Sequence, residues 1–358
     1  MKKFSKLIGT IILVFTFNNT MCFGVGLNDY LNAAFMPVGK CLYVYGGGWN
    51  EEDTAAGDSA KMVGLSKQWS EFYMQNTSSY DHKKYRYSIN DGLDCTGYIG
   101  WTMYQLFQDK YSDNGYVIKS NNMALKYSHM FGGTYIDKQS VKDYQCGDIM
   151  SCNGHAYIVV GACDDGSVVL LHSSPPNVSL CGTYTISGNA NSRAVAIAKT
   201  YMSKYFKQCY MKYPDCSRNS SYLTNYNQMR WNEDVIADTD GYRNMSADDI
   251  LFDYFENIKI YINNVRLHFD SDILMISEKV HVPVRTLAES LGAQVEWEAH
   301  NKTAKLMMNN KILKVKYSDN GAFIKNDRIY LPIRDVCEFF DCDIKWYGES
   351  KSVYIKTN

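Results

Sequence analysis

Leu93-Asp94-Cys95-Thr96-Gly97-Tyr98-Ile99-Gly100-Trp101 is the stretch on which the fold turns. A cysteine stands between an acidic residue and a small hydroxyl residue, and an amphipathic run, Tyr98 to Phe107, follows at once. The pattern predicts a helix whose first residue is Cys95. Unpaired N–H groups and the positive end of the helix dipole favour a thiolate there. The thiolate is the nucleophilic form of cysteine. A small buried cysteine at a helix start fits the same stretch equally well, so the reading depends on residues further along.

A cysteine nucleophile needs a base within hydrogen-bond reach and a third group to orient that base. Of the seven histidines, His82 and His129 lie in polar surroundings, and His268, His281 and His300 lie near the C-terminus. Only His155 and His172 flank a predicted β-hairpin: strand His155–Val160, turn Asp164-Asp165-Gly166, returning strand Ser167–His172. A simple hairpin about Asp165-Gly166 pairs Val159 with His172. Side chains alternate along a strand, so His155 and His172 then share a face but stand about 13 Å apart. A bulge or a wider loop has to shorten that distance.

The chain has 358 residues and a net charge of −1, enough for two domains with real cores and too little charge for broad capture of nucleic acid. Lys2, Lys3 and Lys6, the apolar run Leu7–Phe17 and Cys22-Phe23-Gly24 read as a secretory signal over residues 1–24. That run is too short for a bilayer, which needs roughly 20 apolar residues. A secreted or cell-wall-associated protein is expected, with no membrane span in the mature chain. Export permits disulfides among the eleven cysteines. None of the close pairs (Cys146/Cys152, Cys209/Cys216, Cys337/Cys342) has zinc-knuckle spacing. No metal site and no organic cofactor is expected.

Further helices are predicted at Leu27–Phe35, about Ser66–Met74, Asn121–Met130 and Ser192–Phe206, with one from Ser246 to Phe255. Cys41–Tyr45 reads as a strand ended by Gly46-Gly47-Gly48. Tyr210–Met245 is polar and aromatic and yields no assignment. The last hundred residues repeat. His281-Val282-Pro283-Val284-Arg285 recurs 49 positions later as Tyr330-Leu331-Pro332-Ile333-Arg334, and Val295-Glu296-Trp297 as Ile344-Lys345-Trp346. Each copy reads as strand, short helix and strand, a small α+β unit sharing one core. Arg285 and Arg334 are expected to pair with Glu289 and Glu338, four residues on.

Together these motifs carry a resemblance. Asp94-Cys95-Thr96-Gly97-Tyr98, Cys146-Gly147-Asp148-Ile149, Gly154-His155-Ala156-Tyr157 and, upstream, Tyr43-Val44-Tyr45-Gly46-Gly47 are similar to the NlpC-type cysteine peptidases of bacterial cell walls. The resemblance implies an α+β, papain-like fold, with the cysteine-bearing helix packed on an antiparallel sheet. It implies Cys95 as nucleophile, His155 as base and His172 as orienting residue. It implies Tyr43 and Asp94 as substrate-binding residues, the aspartate suited to a free peptide amine. Thr96 stands where the family has serine, and Cys146 where it has proline. The stretch from Asn50 to Gly92 is longer than in compact members.

The C-terminal repeat resembles the copper amine oxidase N-terminal-like domain through Val282-Pro283-Val284-Arg285, Leu331-Pro332-Ile333-Arg334, Trp297 and Trp346. The expected organisation is a signal at 1–24, a catalytic domain at 25–256 and a repeat domain at 257–358. The expected activity is a secreted peptidoglycan endopeptidase. It would act on stem peptides, at the γ-D-glutamyl–diamino-acid bond by the resemblance, with the repeat domain on the cell wall. A muramoyl-alanine amidase, an acyltransferase and a non-catalytic wall-binding protein are the alternatives.

Overall fold

A computed structural model describes residues 24–111, 114–316 and 321–357. The secretory segment read at 1–24 lies outside them except for Gly24. The fold is α+β, with curled sheets. Two buried clusters divide the chain, one running from Leu27 to Phe255 and the other from Ile260 to Ile355.

The first unit is organised on a nine-stranded sheet. Its strands are β1 (Leu42–Tyr43), β2 (Gly92–Leu93), β3 (Gly133–Ile136), β4 (Ile149–Cys152), β5 (His155–Ala162), β6 (Val168–Ser174), β7 (Asn177–Thr183), β8 (Ser217–Arg218) and β9 (Asn227–Trp231). They run in the order β2-β1-β7-β6-β5-β4-β9-β3, with β8 beside β7. The helices are α1 (Leu27–Phe35), α2 (Lys67–Gln75), α3 (Cys95–Tyr111), α4 (Met123–Tyr127), α5 (Arg193–Tyr205), α6 (Lys207–Lys212), α7 (Ser221–Thr224) and α8 (Ala247–Glu256). The helices at 27–35, 66–74, 192–206 and 246–255 form within a residue or two of their expected bounds. Ser192 caps α5 by accepting from Val195 N–H at 3.2 Å, and Ser246 caps α8 by accepting from Asp249 N–H at 3.2 Å. The helix expected at 121–130 breaks into a 3₁₀ turn, the short α4 and a π turn that ends at Gly132. The strand expected at Cys41–Tyr45 shrinks to two residues.

The Cys95 helix starts where the spacing places it. Asp94 is its N-cap: Oδ1 accepts from Thr96 N–H at 2.9 Å and Gly97 N–H at 2.7 Å. The Thr96 hydroxyl donates to the same oxygen at 2.8 Å and accepts from Trp49 Nε1 at 2.9 Å. The Gly46–Gly48 turn lies directly on this helix head. A Cβ on Gly97 would stand 2.0 Å from Gly47 O, so only glycine lets the two backbones meet.

Gly147-Asp148 forms the expected turn, and Asp148 fixes it. Buried Asp148 accepts from Gln145 N–H, Gln228 Nε2 and Arg230 at 2.7–3.1 Å. Gly147 N–H donates to Val159 O and Val159 N–H to Asp148 O, which sets β5 against the turn.

The second unit obeys its repeat element by element. Strands β12 (Leu274–Ile276) and β13 (Lys279–Pro283), helix α9 (Val284–Ser290) and strands β14 (Gln294–Glu298) and β15 (Thr303–Met308) form the first copy. Strands β17 (Phe323–Lys325) and β18 (Arg328–Pro332), helix α10 (Ile333–Phe339) and strands β19 (Asp343–Tyr347) and β20 (Ser352–Lys356) form the second. β13 and β18 pair antiparallel with Val282 opposite Leu331, its own counterpart, so a local two-fold axis passes between them. β10 (Lys259–Ile262) and β11 (Val265–Leu267) join β20, and β16 (Lys311–Lys316) joins β15. Arg334 reaches Glu338 at 3.4 Å, as the i, i+4 spacing requires, but Arg285 does not pair with Glu289.

Polar contacts join the two units. Arg266 binds Asp253 with both terminal nitrogens at 2.7 and 2.8 Å and Asp240 at 3.0 Å, and the Tyr261 hydroxyl donates to Asp240 at 2.6 Å. Lys259 is buried and donates to the carbonyls of Asp253, Tyr254, Asn257 and Ser350 at 2.6–3.2 Å. Replacing Lys259 by methionine keeps the bulk but strips four buried acceptors of their donor. We expect about 3 kcal/mol of lost stability in denaturant unfolding, because removing one side of a buried charged cluster leaves the other uncompensated. An unchanged midpoint would show that the ammonium is dispensable.

Candidate active site

The two histidines come together. His155 Nε2 and His172 Nδ1 are 2.9 Å apart, with the rings edge to face. Two one-residue shifts close the gap that a simple hairpin would leave. The turn has three residues, Asp164, Asp165 and Gly166, since Cys163 N–H donates to Ser167 O. A bulge between Val159 and Gly161 then slides β5 again, so that Val159 pairs with Leu170 and Ile158 with Leu171. Continued along the strand, His172 stands opposite Tyr157, two residues from His155, which is diagonal contact distance. Gly161 allows the bulge to lie under α8, where a Cβ would stand 2.9 Å from Ala247 Cα.

Cys95 is buried at the head of α3. The N–H groups of Ala156, Thr96 and Cys95 itself favour the thiolate, but burial and the adjacent Asp94 carboxylate outweigh them and hold the thiol well above its ordinary range. No hydrogen bond joins Cys95 to His155. The Ser173 hydroxyl donates to Leu93 O at 2.6 Å and so ties β6 to the residue pair before the thiol.

Tyr43 lies next to this head. Burial raises its hydroxyl pKa, and so do Cys95 and Asp94 close by. Its ring meets His82 edge to face at 5.8 Å, and its carbonyl accepts from the Tyr80 hydroxyl at 2.8 Å. The long 50–92 stretch therefore borders the site. Asp94 stays part-exposed and titrates near 6, raised by burial against the N–H groups that it accepts from. Its Oδ1 is fully engaged in capping α3.

Tyr210–Met245, which carries no periodic signal, supplies the rest of the site. Arg218 on β8 donates from Nε to His172 Nε2 at 3.1 Å. Tyr222 and Tyr226 meet the histidines edge to face, with the Tyr222 ring centroid 5.5 Å from that of His155 and 5.9 Å from that of His172. Nothing in the sequence pattern pointed to these three residues.

The Arg218 contact assigns the protons. A guanidinium can only donate, so His172 Nε2 accepts and the proton of neutral His172 sits on Nδ1. That proton is donated to His155 Nε2. His155 then carries its own proton on Nδ1. Burial first, and the Arg218 charge second, draw His155 down to about 3 and His172 well below its usual range. The site therefore rests as a neutral thiol beside neutral imidazoles, not as a thiolate–imidazolium pair. In Arg218→Gln the charge is gone, and the amide can accept from His172 as well as donate. We expect the His155 and His172 titrations, followed by NMR, to move upward. Arg218→Lys should keep the parental titrations. Unmoved titrations in Arg218→Gln would contradict the assignment.

Among the comparisons with known proteins, neither the curated proteins nor the solved structures contain a match. Residues 261–323 and 314–358 match the family model of the copper amine oxidase N-terminal domain, which gives the C-terminal unit its family. The name carries copper, but among the described residues no group of three or more His, Cys, Asp or Glu side chains is placed to hold a metal ion.

Proposed function

We propose that the chain is a secreted cysteine endopeptidase of peptidoglycan stem peptides, with a papain-like catalytic unit and a C-terminal unit that holds the cell wall. The observation that carries this reading is the His155–His172 hydrogen bond of 2.9 Å beside the helix that begins at Cys95. The basic and apolar residues at the N-terminus support export. No described helix is long and apolar enough to cross a membrane.

In the proposed reaction Cys95 Sγ attacks the amide carbonyl of a stem peptide. The thiol proton passes to His155 Nδ1, which must first be freed: the His155 proton moves to Nε2 and is donated to His172 Nδ1. The His172 proton then lies on Nε2, so Arg218 has to turn away as substrate enters. Backbone N–H groups at the head of α3 and the Tyr43 hydroxyl would donate to the oxyanion. His155 gives its proton to the leaving amine, and water hydrolyses the thioester to a carboxylate and the free thiol. Amidase or acyl-transfer chemistry could use the same groups, with a different amide or with an amine as acceptor.

A non-catalytic wall-binding protein is the second reading. The raised thiol and lowered imidazoles favour it, because they describe a site that is unreactive at rest. One experiment separates the two. Mature protein incubated with purified peptidoglycan should release muropeptides bearing a new diamino-acid N-terminus by mass spectrometry, and Cys95→Ala should release none. Equal release by the variant would end the thiol mechanism. A new free muramic carboxylate would point to the amidase.

A further inference from the structure

The C-terminal unit holds two cavities that map onto each other through the repeat. One, of about 520 Å³, lies between the β12–β13 hairpin of the first copy and α10 and β19 of the second. The other, of about 550 Å³, lies between the β17–β18 hairpin of the second copy and α9 and β14 of the first. Met275, Trp346 and Arg334 line the first; their counterparts Ile324, Trp297 and Arg285 line the second. Each cavity is built across the two-fold axis, so neither exists in a single copy.

These side chains stay open to solvent. Met275 is 46% and Trp346 38% exposed in one cavity, Ile324 37% and Trp297 44% in the other. Single exposed apolar residues need no explanation, but the same pair kept open twice across a symmetry axis marks a recognition surface. Each pair faces a guanidinium. Arg285 has no hydrogen bond or ion pair among the described residues, and Arg334 has only the contact to Glu338 on its own helix, at 3.4 Å.

An indole face opposite an aliphatic wall takes the flat C–H face of a sugar ring. A guanidinium without a partner takes a carboxylate through two parallel hydrogen bonds. Two equivalent sites on one rigid unit suit a ligand that offers the same group twice. We propose that the paired cavities bind a glycan strand whose repeating sugar carries a carboxylate, one such sugar in each cavity. The choice of cell-wall glycan as its source rests on the wall-directed function proposed above. The cavities carry the same charge balance: Glu278, Lys279, Arg334 and Asp335 line one, and Asp270, Arg285, Asp327 and Arg328 line the other.

The test is isothermal titration of the full-length Cys95→Ala chain with wall glycan strands stripped of peptide, which expose the muramic carboxylate. A neutral N-acetylglucosamine hexamer and polyglutamate serve as competitors of the other two chemistries. We expect binding to the stripped strands that Trp297→Ala and Trp346→Ala each weaken about tenfold and that the double variant lowers by about 100-fold. Arg285→Ala, on the open surface, should cost a similar factor and gives an independent check if a tryptophan variant misfolds. Equal affinity for the neutral hexamer, preference for polyglutamate, or an unaffected double variant would overturn the proposal. Glycan binding without muropeptide release would leave the cavities standing and defeat the enzyme, and release without glycan binding would do the reverse.

Discussion

The contact between the Gly46–Gly48 turn and the head of α3 is the constraint on which the site depends. Two backbones meet there with no side chain between them, since a Cβ on Gly97 would stand 2.0 Å from Gly47 O and one on Gly48 would stand 2.7 Å from Gly97 Cα. Asp94 N–H donates to Gly47 O at 3.0 Å and its carboxylate caps the helix, so the residue that precedes the thiol is held from both sides. Tyr43 leads into this turn, and Cys95 begins the helix packed on it. Their separation is therefore set by backbone contact, which is stiffer than contact between side chains that can change rotamer. The Ser173–Leu93 hydrogen bond extends the same frame to β6, and through β6 to His172.

The frame explains position but leaves protonation to the electrostatics. Burial disfavours every charged form in the site, and Arg218 adds a fixed positive charge beside two imidazoles. The helix-head N–H groups act the other way on the thiol and lose to desolvation. A substrate carbonyl over Cys95 would change that balance, because negative charge would then move off sulfur toward donors that already point at it. Under the proposed mechanism the ground state would be inert, and stabilisation would appear only along the reaction, which is where it raises a rate.

How much of this was legible follows from how far each signal reaches along the chain. The α3 start was readable because cap, nucleophile and apolar run lie within a few residues. The repeat was readable because its two copies share a spacing, and every element of one recurs in the other. His155 and His172 were readable as residues but not as a pair. Their meeting needs a three-residue turn and a bulge, and the bulge depends on α8 pressing on Gly161, a contact between distant parts of the chain. β7 was missed because all seven of its residues are buried, so it lacks the alternation of a half-exposed strand. Arg218, Tyr222 and Tyr226 sit on or beside elements of two to five residues, too short for any period to register.

The joint between the two units bears on how they act together. Residues alternate along β20: Val353 and Ile355 enter the second core, whereas Ser352 and Tyr354 face the first unit and accept from Asn28 at 3.2 and 2.7 Å. The same strand thus serves as core and as interface. On the other side of the joint, Arg266 draws together Asp240 and Asp253, two carboxylates that would repel each other without it. Charges buried this way add little stability beyond what apolar residues would give, but they admit one geometry and penalise the rest. A joint built so holds the repeat unit at a fixed angle to α3. Under the proposed function, a glycan held by the repeat unit would be presented to Cys95 from a constant direction, and the effective concentration of its bonds there would be set by the protein's own frame.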